Sequence, residues 1–595
     1  MKPTQEQQAA LDAYLTGESL RIEALAGTGK TTTLRMLVGA GSPRGGRLLY
    51  TSFGTKVVAD AKKSFPRQCK VATNHALAWG VGRRFQAAGR LRNRLTAQDL
   101  LTHFGWNDGR FSPFVDAWAG AFGVIQTLER FCQGSDARLL DGYAMPSAAR
   151  LVKGVAALTG PCAAVLAEAA REVWSEVSRA DSRLCVTHDM YLKLWALSEP
   201  RIAATTIMLD EAQDANGVMV EVLRAQENVQ LVIVGDRRQA IYGWRGAVDA
   251  MDAFDIAHST SLTRSFRFGE QIAEVANAVL RDQCASTLQL QGDRAQPGHV
   301  GPADLPHCFI ARTNATLAGR LFEIKQAAPG YRIGVVGGVS DLVKLVEGAD
   351  RLMGGRPAQH VELAEFSHWD DVLDAVKHES YSHLRTLARL VGTYGPLPLL
   401  EALHSVSGNE GDPDGCDVLL STAHKAKGAE FDSVRLEDDF APKGPPGDPG
   451  RWGWTPEEGN LLYVACTRAR RHLDPTMCEA VSGSWGGRPW PEGPPPDANA
   501  VDAPAEADPR QPGQLALALV LEEDHPDIPG AIIRAERIAN DVEIAIDLGG
   551  TRLFQAAGRV VQLLHDDGVT AVIQLGRAAL PVPSRTAKII EEWGR

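Results

Sequence analysis

The chain has 595 residues, 44% of them hydrophobic and 23% charged, with a formal net charge of −11. That length predicts several domains of ordinary globular composition. The acidic balance excludes a protein coated in positive charge, though not one that holds nucleic acid in a locally basic channel.

Residues 20–85 alternate strand and helix patterns, with an apolar strand at 20–25, helix formers at 32–38, a buried strand at 47–53 and a strand and turn at 71–79. From 85 to 198 the pattern turns helical. Strands return at 207–209 and 231–234, a helix follows at 270–280, and further strands fall at 308–311, 333–336, 418–421 and 434–436. The stretch 340–403 is mostly helical. The chain therefore reads as two α/β units, each interrupted by a helical insert. Residues 483–513, rich in Pro, Gly, Ala and Asp, read as a flexible linker. Beyond it, 514–595 regains apolar content, with strands at 542–546 and 571–573 and a helix at 554–565, an extension of α+β type. There Asp547-Leu548-Gly549-Gly550-Thr551 reads as a Gly-Gly turn after a strand, a form that sugar-kinase phosphate turns share.

No apolar run approaches the ~20 residues of a membrane span. The opening Met1-Lys2-Pro3-Thr4 does not read as a signal peptide. Nine cysteines are scattered without a CxxC pair, so no zinc or iron–sulfur site is expected. A cytoplasmic or nucleoid-associated protein in a reducing compartment is the simplest reading.

Two segments carry the first chemical signal. Ala24-Leu25-Ala26-Gly27-Thr28-Gly29-Lys30-Thr31-Thr32 joins a strand to a helix. Glycines there let backbone N–H groups curl around phosphate oxygens; Lys30 would reach the β- and γ-phosphates and the Thr31 hydroxyl would bind Mg²⁺. The first glycine of the usual pattern is Ala24 here. Asp210-Glu211-Ala212-Gln213-Asp214 follows the apolar run 207–209. It sets two carboxylates at a strand's C-terminal end, Asp210 for Mg²⁺ and Glu211 to polarise water. Together these segments predict hydrolysis of a nucleoside triphosphate, which the resemblance below implies is ATP.

The remaining blocks are Gln7 in Thr4-Gln5-Glu6-Gln7-Gln8, Thr51-Ser52-Phe53-Gly54-Thr55-Lys56, Thr73-Asn74-His75-Ala76, Gly235-Asp236-Arg237-Arg238-Gln239-Ala240-Ile241-Tyr242-Gly243-Trp244-Arg245-Gly246-Ala247, Ser265-Phe266-Arg267, Arg312-Thr313-Asn314-Ala315, Thr422-Ala423-His424-Lys425-Ala426-Lys427-Gly428-Ala429-Glu430-Phe431 and Leu462-Tyr463-Val464-Ala465-Cys466-Thr467-Arg468-Ala469. In this order they resemble the motifs of a superfamily 1 DNA helicase of the UvrD/Rep type, and 53–79 resembles the F-box DNA helicase branch. The resemblance spans residues 4–470 in separate blocks. It implies adenine read by Gln7 and stacked on Phe266, phosphates sensed by Gln239 and Arg267, ribose held by Glu430, and Arg468 as an arginine finger. It implies DNA contacts by Phe53, Thr73, His75, Tyr242, Trp244, Thr422 and His424. Ser265-Phe266-Arg267 departs from the family's Asn-Tyr-Arg by losing the tyrosine hydroxyl. Arg312 is expected to be structural. The cluster of Arg83, Arg84, Arg90, Arg92 and Arg94 reads first as a solvated face, with DNA contact the second reading.

The expected architecture is two RecA-like domains. The first covers 1–85 and 200–263 with a helical insertion at 86–199; the second covers 264–330 and 415–482 with a reduced insertion at 331–414. A linker at 483–513 leads to a C-terminal domain at 514–595, which could serve a protein partner. The resemblance further implies 3′→5′ translocation on single-stranded DNA and action at duplex junctions, in repair, recombination or replication. The alternative is a translocase that strips proteins from single-stranded DNA with little strand separation, which the reduced second insertion favours. No nuclease motif follows residue 483.

Overall fold

The computed structural model describes residues 2–152, 155–179, 181–243, 246–296, 298–303, 307–360, 362–363, 366, 368–376, 384–406, 415–440 and 454–485, and the backbone of seven strands between 520 and 583.

A six-stranded sheet forms the first unit, in the order Cys69–Thr73, Leu48–Ser52, Thr206–Asp210, Gln230–Gly235, Leu20–Ala24 and His258–Leu262, with every pair parallel. The strands Leu48–Ser52 and Thr206–Asp210 are buried at every residue. That suits the centre of a parallel sheet, where both faces are covered and the sequence reads as an apolar run. A second six-stranded parallel sheet has the order Ile333–Val335, Val418–Thr422, Cys308–Ala311, Phe431–Leu436, Ala469–Asp474 and His299–Val300. The two α/β units expected from the sequence are these two sheets. Their cores meet: Leu25, Ala26 and Ile241 of the first unit pack in one cluster with Phe268, Leu462 and Tyr463 of the second.

Between Cys69–Thr73 and Thr206–Asp210 lies a helical insert, built from Ala97–Phe104, Ala117–Gln133, Met145–Leu151, Ala156–Ser178 and His188–Ala196. It has its own core, with Phe111, Leu128, Phe131, Leu166 and Val173 buried together. Arg90 is buried here. Its guanidinium donates to the carbonyls of Leu184 at 2.8 Å, Arg179 at 2.8 Å and Val177 at 3.0 Å. These include orphan carbonyls at the end of helix Ala156–Ser178, so Arg90 caps a helix and does not flank DNA.

Two expectations need correction. The second insertion cannot begin at 331, because Ile333–Val335 is an edge strand paired with Val418–Leu420. The inserted helices are Ser340–Met353, Trp369–Ala375, Arg385–Tyr394 and Pro396–His404, and they share a core with helix Asn314–Ala327 of their own sheet. The helix expected at 554–565 is instead two strands, Thr551–Gly558 and Val560–Asp566. The expected strands at 542–546 and 571–573 lie within Asp541–Leu548 and Thr570–Leu575. Strands Asp541–Leu548 and Thr551–Gly558 pair antiparallel, with Leu548 opposite Thr551, so the Asp547–Thr551 turn motif sits at a hairpin; Gly549 and Gly550 lie outside the described residues. The linker at 483–513 also lies outside them, apart from 483–485.

Candidate active site and nucleic-acid cleft

The phosphate loop leaves strand Leu20–Ala24 and enters helix Lys30–Ala40. Gly27 and Gly29 have φ of +74° and +81°, a left-handed conformation that glycine adopts without a Cβ penalty. Space requires glycine at position 27 as well and is tight at position 29. A Cβ on Gly27 would meet Ser265 Oγ at 2.5 Å, and one on Gly29 would meet the Phe266 ring at 3.3 Å and Gln7 Nε2 at 3.4 Å. Ser265-Phe266-Arg267 is thus folded against the loop, fixed by Phe266 N–H donating to Gly27 O at 2.8 Å. Gln7 is buried, not solvated. Its amide accepts from Thr4 N at 3.1 Å and donates to Thr33 Oγ1 at 3.3 Å. Gln7 and Phe266 therefore stand together beside Gly29, where a nucleotide base would lie. Thr28 is buried with its hydroxyl on Leu25 O, whereas Thr31 is exposed at the helix N-terminus beside Thr32.

Lys30 Nζ lies 2.6 Å from Glu211 Oε1. Burial alone would lower the Lys30 ammonium, but the charges of Glu211 and Asp210 outweigh it and raise its pKa. Burial alone would raise the Glu211 carboxyl, but Lys30 and Lys427 hold it down to about 2. Glu211 has φ of +53°. A non-glycine residue there costs of order 1–3 kcal/mol, a strain that clusters at functional sites. Gln213 Nε2 donates to Glu211 Oε2 at 2.6 Å and Gln213 Oε1 accepts from Asp236 N at 3.1 Å, so one side chain fixes the carboxylate to the next strand end. Asp210 accepts from Tyr50 OH at 2.6 Å and from Glu211 N at 2.9 Å. Its pKa is raised by burial and further by Glu211, against the pull of Lys30, which makes a cation favourable beside it.

The second unit closes over this loop. Tyr463 OH accepts from Ala26 N at 3.0 Å and donates toward Asp236 Oδ2 at 3.4 Å. Gln239 Nε2 donates to the same Asp236 oxygen at 2.6 Å. Arg468 is 1% exposed. It donates to Val464 O at 2.9 Å, Ala429 O at 3.4 Å and Thr467 Oγ1 at 3.0 Å. Burial and the charge of Arg267 bring its pKa down to about 9. A buried guanidinium bonded to neutral oxygens, beside a second arginine, suits an anion. Arg267 donates to Glu430 Oε1 and to Thr467 O, each at 2.8 Å, so the expected phosphate and ribose residues here hold each other.

Lys427 spans the cleft. It pairs with Asp214, donates to Gln239 O at 2.5 Å and stands 5.0 Å from the Tyr242 ring centre. Burial raises Asp214 to about 6 in spite of Lys427. Asp236 is also raised to about 6 by burial, against its bond from Gln239.

One cleft of about 1600 Å³ joins the phosphate loop to Phe53, His75, Tyr242, Arg267 and Arg468, and to the insert helix Ala117–Gln133. Phe53 is 39% exposed at the end of its strand, with its ring 6.0 Å from His75. His75 Nε2 is 3.0 Å from Asp189 Oδ1, which ties the sheet to the insert. Thr73 and Thr422 each end a strand, one in each sheet, and each caps a four-residue helix, accepting from Ala76 N and Lys425 N respectively. Tyr242 OH donates to His424 O at 3.2 Å. Trp244 lies outside the described residues. Arg312 pairs with Glu458 through two bonds of 2.8 and 2.6 Å, the structural role expected. Lys427, Asp214, Gln213, Asp236 and Tyr463 were assigned no role from the sequence. All sit inside its motif blocks, and for Asp214 and Asp236 a carboxylate shortly after an apolar strand was the signal available.

Residues 180–254 match the family model "UvrD/REP helicase N-terminal domain", and residues 356–480 match "UvrD-like helicase C-terminal domain". The chain carries UvrD-like helicase domains. F-box DNA helicase 1 of Gallus gallus is 30% identical over 80% of this chain and 49% of its own length. F-box DNA helicase protein 1 of Schizosaccharomyces pombe is 30% identical over 79% of this chain and 57% of its own length. DNA helicase II of Escherichia coli is 33% identical over 16% of this chain and 14% of its own. The chain spans about half the length of the F-box relatives it matches. No described helix is long and apolar enough to cross a membrane.

Proposed function

We propose that this chain is an ATP-dependent DNA helicase that moves 3′→5′ on single-stranded DNA. The observation that carries the reading is Arg468, buried in the second unit and lining the cleft opposite the Gly27–Lys30 loop of the first. The N–H groups of Lys30, Thr31 and Thr32 lack helical partners, and no side chain caps them. They and Lys30 would hold the triphosphate, with Gln7 and Phe266 at the base and Glu430 at the ribose. Thr31 and Asp210 fit Mg²⁺, which when bound neutralises phosphate charge. Glu211, held ionised by Lys30 and Lys427 and aimed by Gln213, would orient the attacking water. Arg468 and Arg267 would stabilise charge as the γ-phosphate leaves. Because these arginines and the loop belong to different sheets, hydrolysis requires closure and product release relaxes it, which moves the DNA-facing residues of the two units relative to each other.

The direction follows from the block after Gln239. Ala240-Ile241-Tyr242-Gly243-Trp244-Arg245 has the aromatic-rich form of the 3′→5′ group, not a Leu-Pro-rich run. A second reading is a translocase that displaces bound proteins. It is favoured by the inserted helices 340–404, which share a core with helix Asn314–Ala327 of their own unit. The deciding experiment is ATPase activity with and without single-stranded DNA, followed by unwinding of duplexes with 3′ or 5′ overhangs. ATP-dependent unwinding from the 3′ overhang is expected. Efficient unwinding only from the 5′ overhang would overturn the direction, and protein displacement without unwinding would select the second reading.

A further inference from the structure

Helix Ala117–Gln133 turns one face into the cleft. Residues three or four apart share a helix face, and Trp118, Phe122, Gln126, Arg130 and Gln133 make such a stripe. The opposite face, with Ala121, Val124, Leu128 and Phe131, is buried in the insert core. Trp118 is 57% exposed and Phe122 39%. Phe122, Gln126, Arg130 and Arg150 line the same cleft as Lys30, Phe53 and His75.

The two arginines are bonded to neutral oxygens. Arg130 donates through Nη1, to Gln126 O at 3.4 Å, Tyr143 O at 3.1 Å and Ser147 Oγ at 2.9 Å. Arg150 rests on the Gln126 side-chain oxygen, which Ser147 Oγ also reaches at 2.9 Å. Among the described residues neither guanidinium forms an ion pair, whereas Arg110 and Arg171 of the same insert do. Burial and the charge of Arg150 lower the pKa of Arg130. Two like charges held together without a carboxylate in contact make a seat for an anion. The carboxylates in the same cleft wall are otherwise placed: Asp189 is engaged by His75, and burial and the Asp189 charge raise the Glu129 pKa toward its neutral form.

We propose that this helix face is a nucleotide-binding step of the DNA path, in which Arg130 and Arg150 seat one backbone phosphate and Phe122 stacks on an adjoining base. Trp118 is the next platform outward. The proposal rests on the DNA-motor reading and adds a wall to its channel. The spacing selects an extended single strand. Side chains four residues apart lie about 6 Å apart along a helix, whereas stacked bases repeat at about 3.4 Å. Each ring therefore takes its own base from an unstacked chain, and a guanidinium fork beside it meets the phosphate.

The test uses the full chain and fluorescent oligo-dT, titrated over a range of salt concentrations. Phe122→Ala is expected to weaken binding by roughly 5- to 150-fold, the range for loss of one stacked base, with an unchanged salt slope. Arg150→Gln is expected to weaken binding and to reduce the slope of log affinity against log salt by about 0.7, one single-strand phosphate. Phe53→Ala, at the end of strand Leu48–Ser52 in the same cleft, is the reference. If wild type does not bind oligo-dT, the DNA-motor reading itself fails. If wild type binds and Phe53→Ala weakens it, while Phe122→Ala and Arg150→Gln bind with wild-type affinity and slope, this proposal is overturned. A loss of affinity for ATP in Arg150→Gln, with oligo-dT binding intact, would also overturn it by placing the anion seat in the nucleotide site.

Discussion

At the scale of single residues, the site works by crowding charges whose ionisation is decided by their neighbours. Glu211 stays ionised because Lys30 and Lys427 outweigh its burial. Glu211→Gln keeps the shape and the bond from Gln213 yet removes the charge, so ATP turnover should drop at least ~10²-fold. Near-normal turnover in that variant would sink the assignment. Lys30→Ala and Arg468→Ala should lose at least as much, through phosphate binding and transition-state charge respectively. Asp214 and Asp236 differ from Glu211, because burial raises both to about 6. They are carboxylates above that pH and take up protons below it, which weakens the Lys427–Asp214 pair and changes Asp236 beneath Gln239 and Tyr463. Turnover at saturating ATP should therefore fall as pH drops through about 6. An acid limb that begins only near pH 4, the ordinary carboxylate range, would show that both groups ionise normally. The motif residues were legible in the sequence because each block fixes residue types at a strand end. The partners of those residues were not. Lys427 meets Asp214, and Tyr463 meets Ala26, across more than two hundred residues of chain, and no local pattern carries such a pairing.

At the scale of elements, the two sheets communicate through few side chains, and Lys427 touches the most informative set of them. It bridges the carboxylate after one strand, the Gln239 carbonyl after the next and the face of Tyr242. Its side chain is 9% exposed and that of Asp214 is 7% exposed. Removing one partner of such a pair leaves an uncompensated buried charge, which costs ~3–5 kcal/mol. Lys427→Met should lower DNA-stimulated kcat more than it raises KM for ATP, because closure is lost while the phosphate loop is intact. Adding Asp214→Asn should recover part of the lost stability. Additive losses in that double-mutant cycle would show that the pair does not couple the units. Elements were legible where one period dominated. Residues 20–25 and 207–209 read plainly as strands, and 85–198 as helical. The stretch 554–565 has apolar residues at both helical and strand spacing, and pairing with neighbouring strands decided the outcome. The strand Ile333–Val335 is three residues long, and what makes it part of the sheet is its register with Val418–Leu420.

At the scale of the whole molecule, the question is where the motor ends. The motifs stop at Arg470 and the sequence placed the linker from residue 483, but the structure extends the second unit further. Helix Glu479–Trp485 packs on helix Glu270–Asp282 and the turn after it, with Cys478 and Val481 fully buried. Gln283 Nε2 donates to Ser484 Oγ at 2.9 Å, and Glu479 N donates to Asp438 Oδ1 at 2.8 Å. A truncation at 483 would cut this helix, whereas one after 485 would leave it whole. A chain ending at Trp485 should therefore keep DNA-stimulated ATPase within about twofold of the full chain, and a closely similar unfolding midpoint. A chain ending at Thr476 exposes the apolar groove that Cys478 and Val481 fill, and burying two such side chains is worth roughly 3 kcal/mol. Its unfolding midpoint should fall by several degrees. The pair of truncations separates two ideas of the tail. If the chain ending at 485 is folded but loses stimulation by DNA, residues 486–595 belong to the motor. If it keeps stimulation, the tail's strands are an appended module, and a protein partner becomes the next thing to look for there.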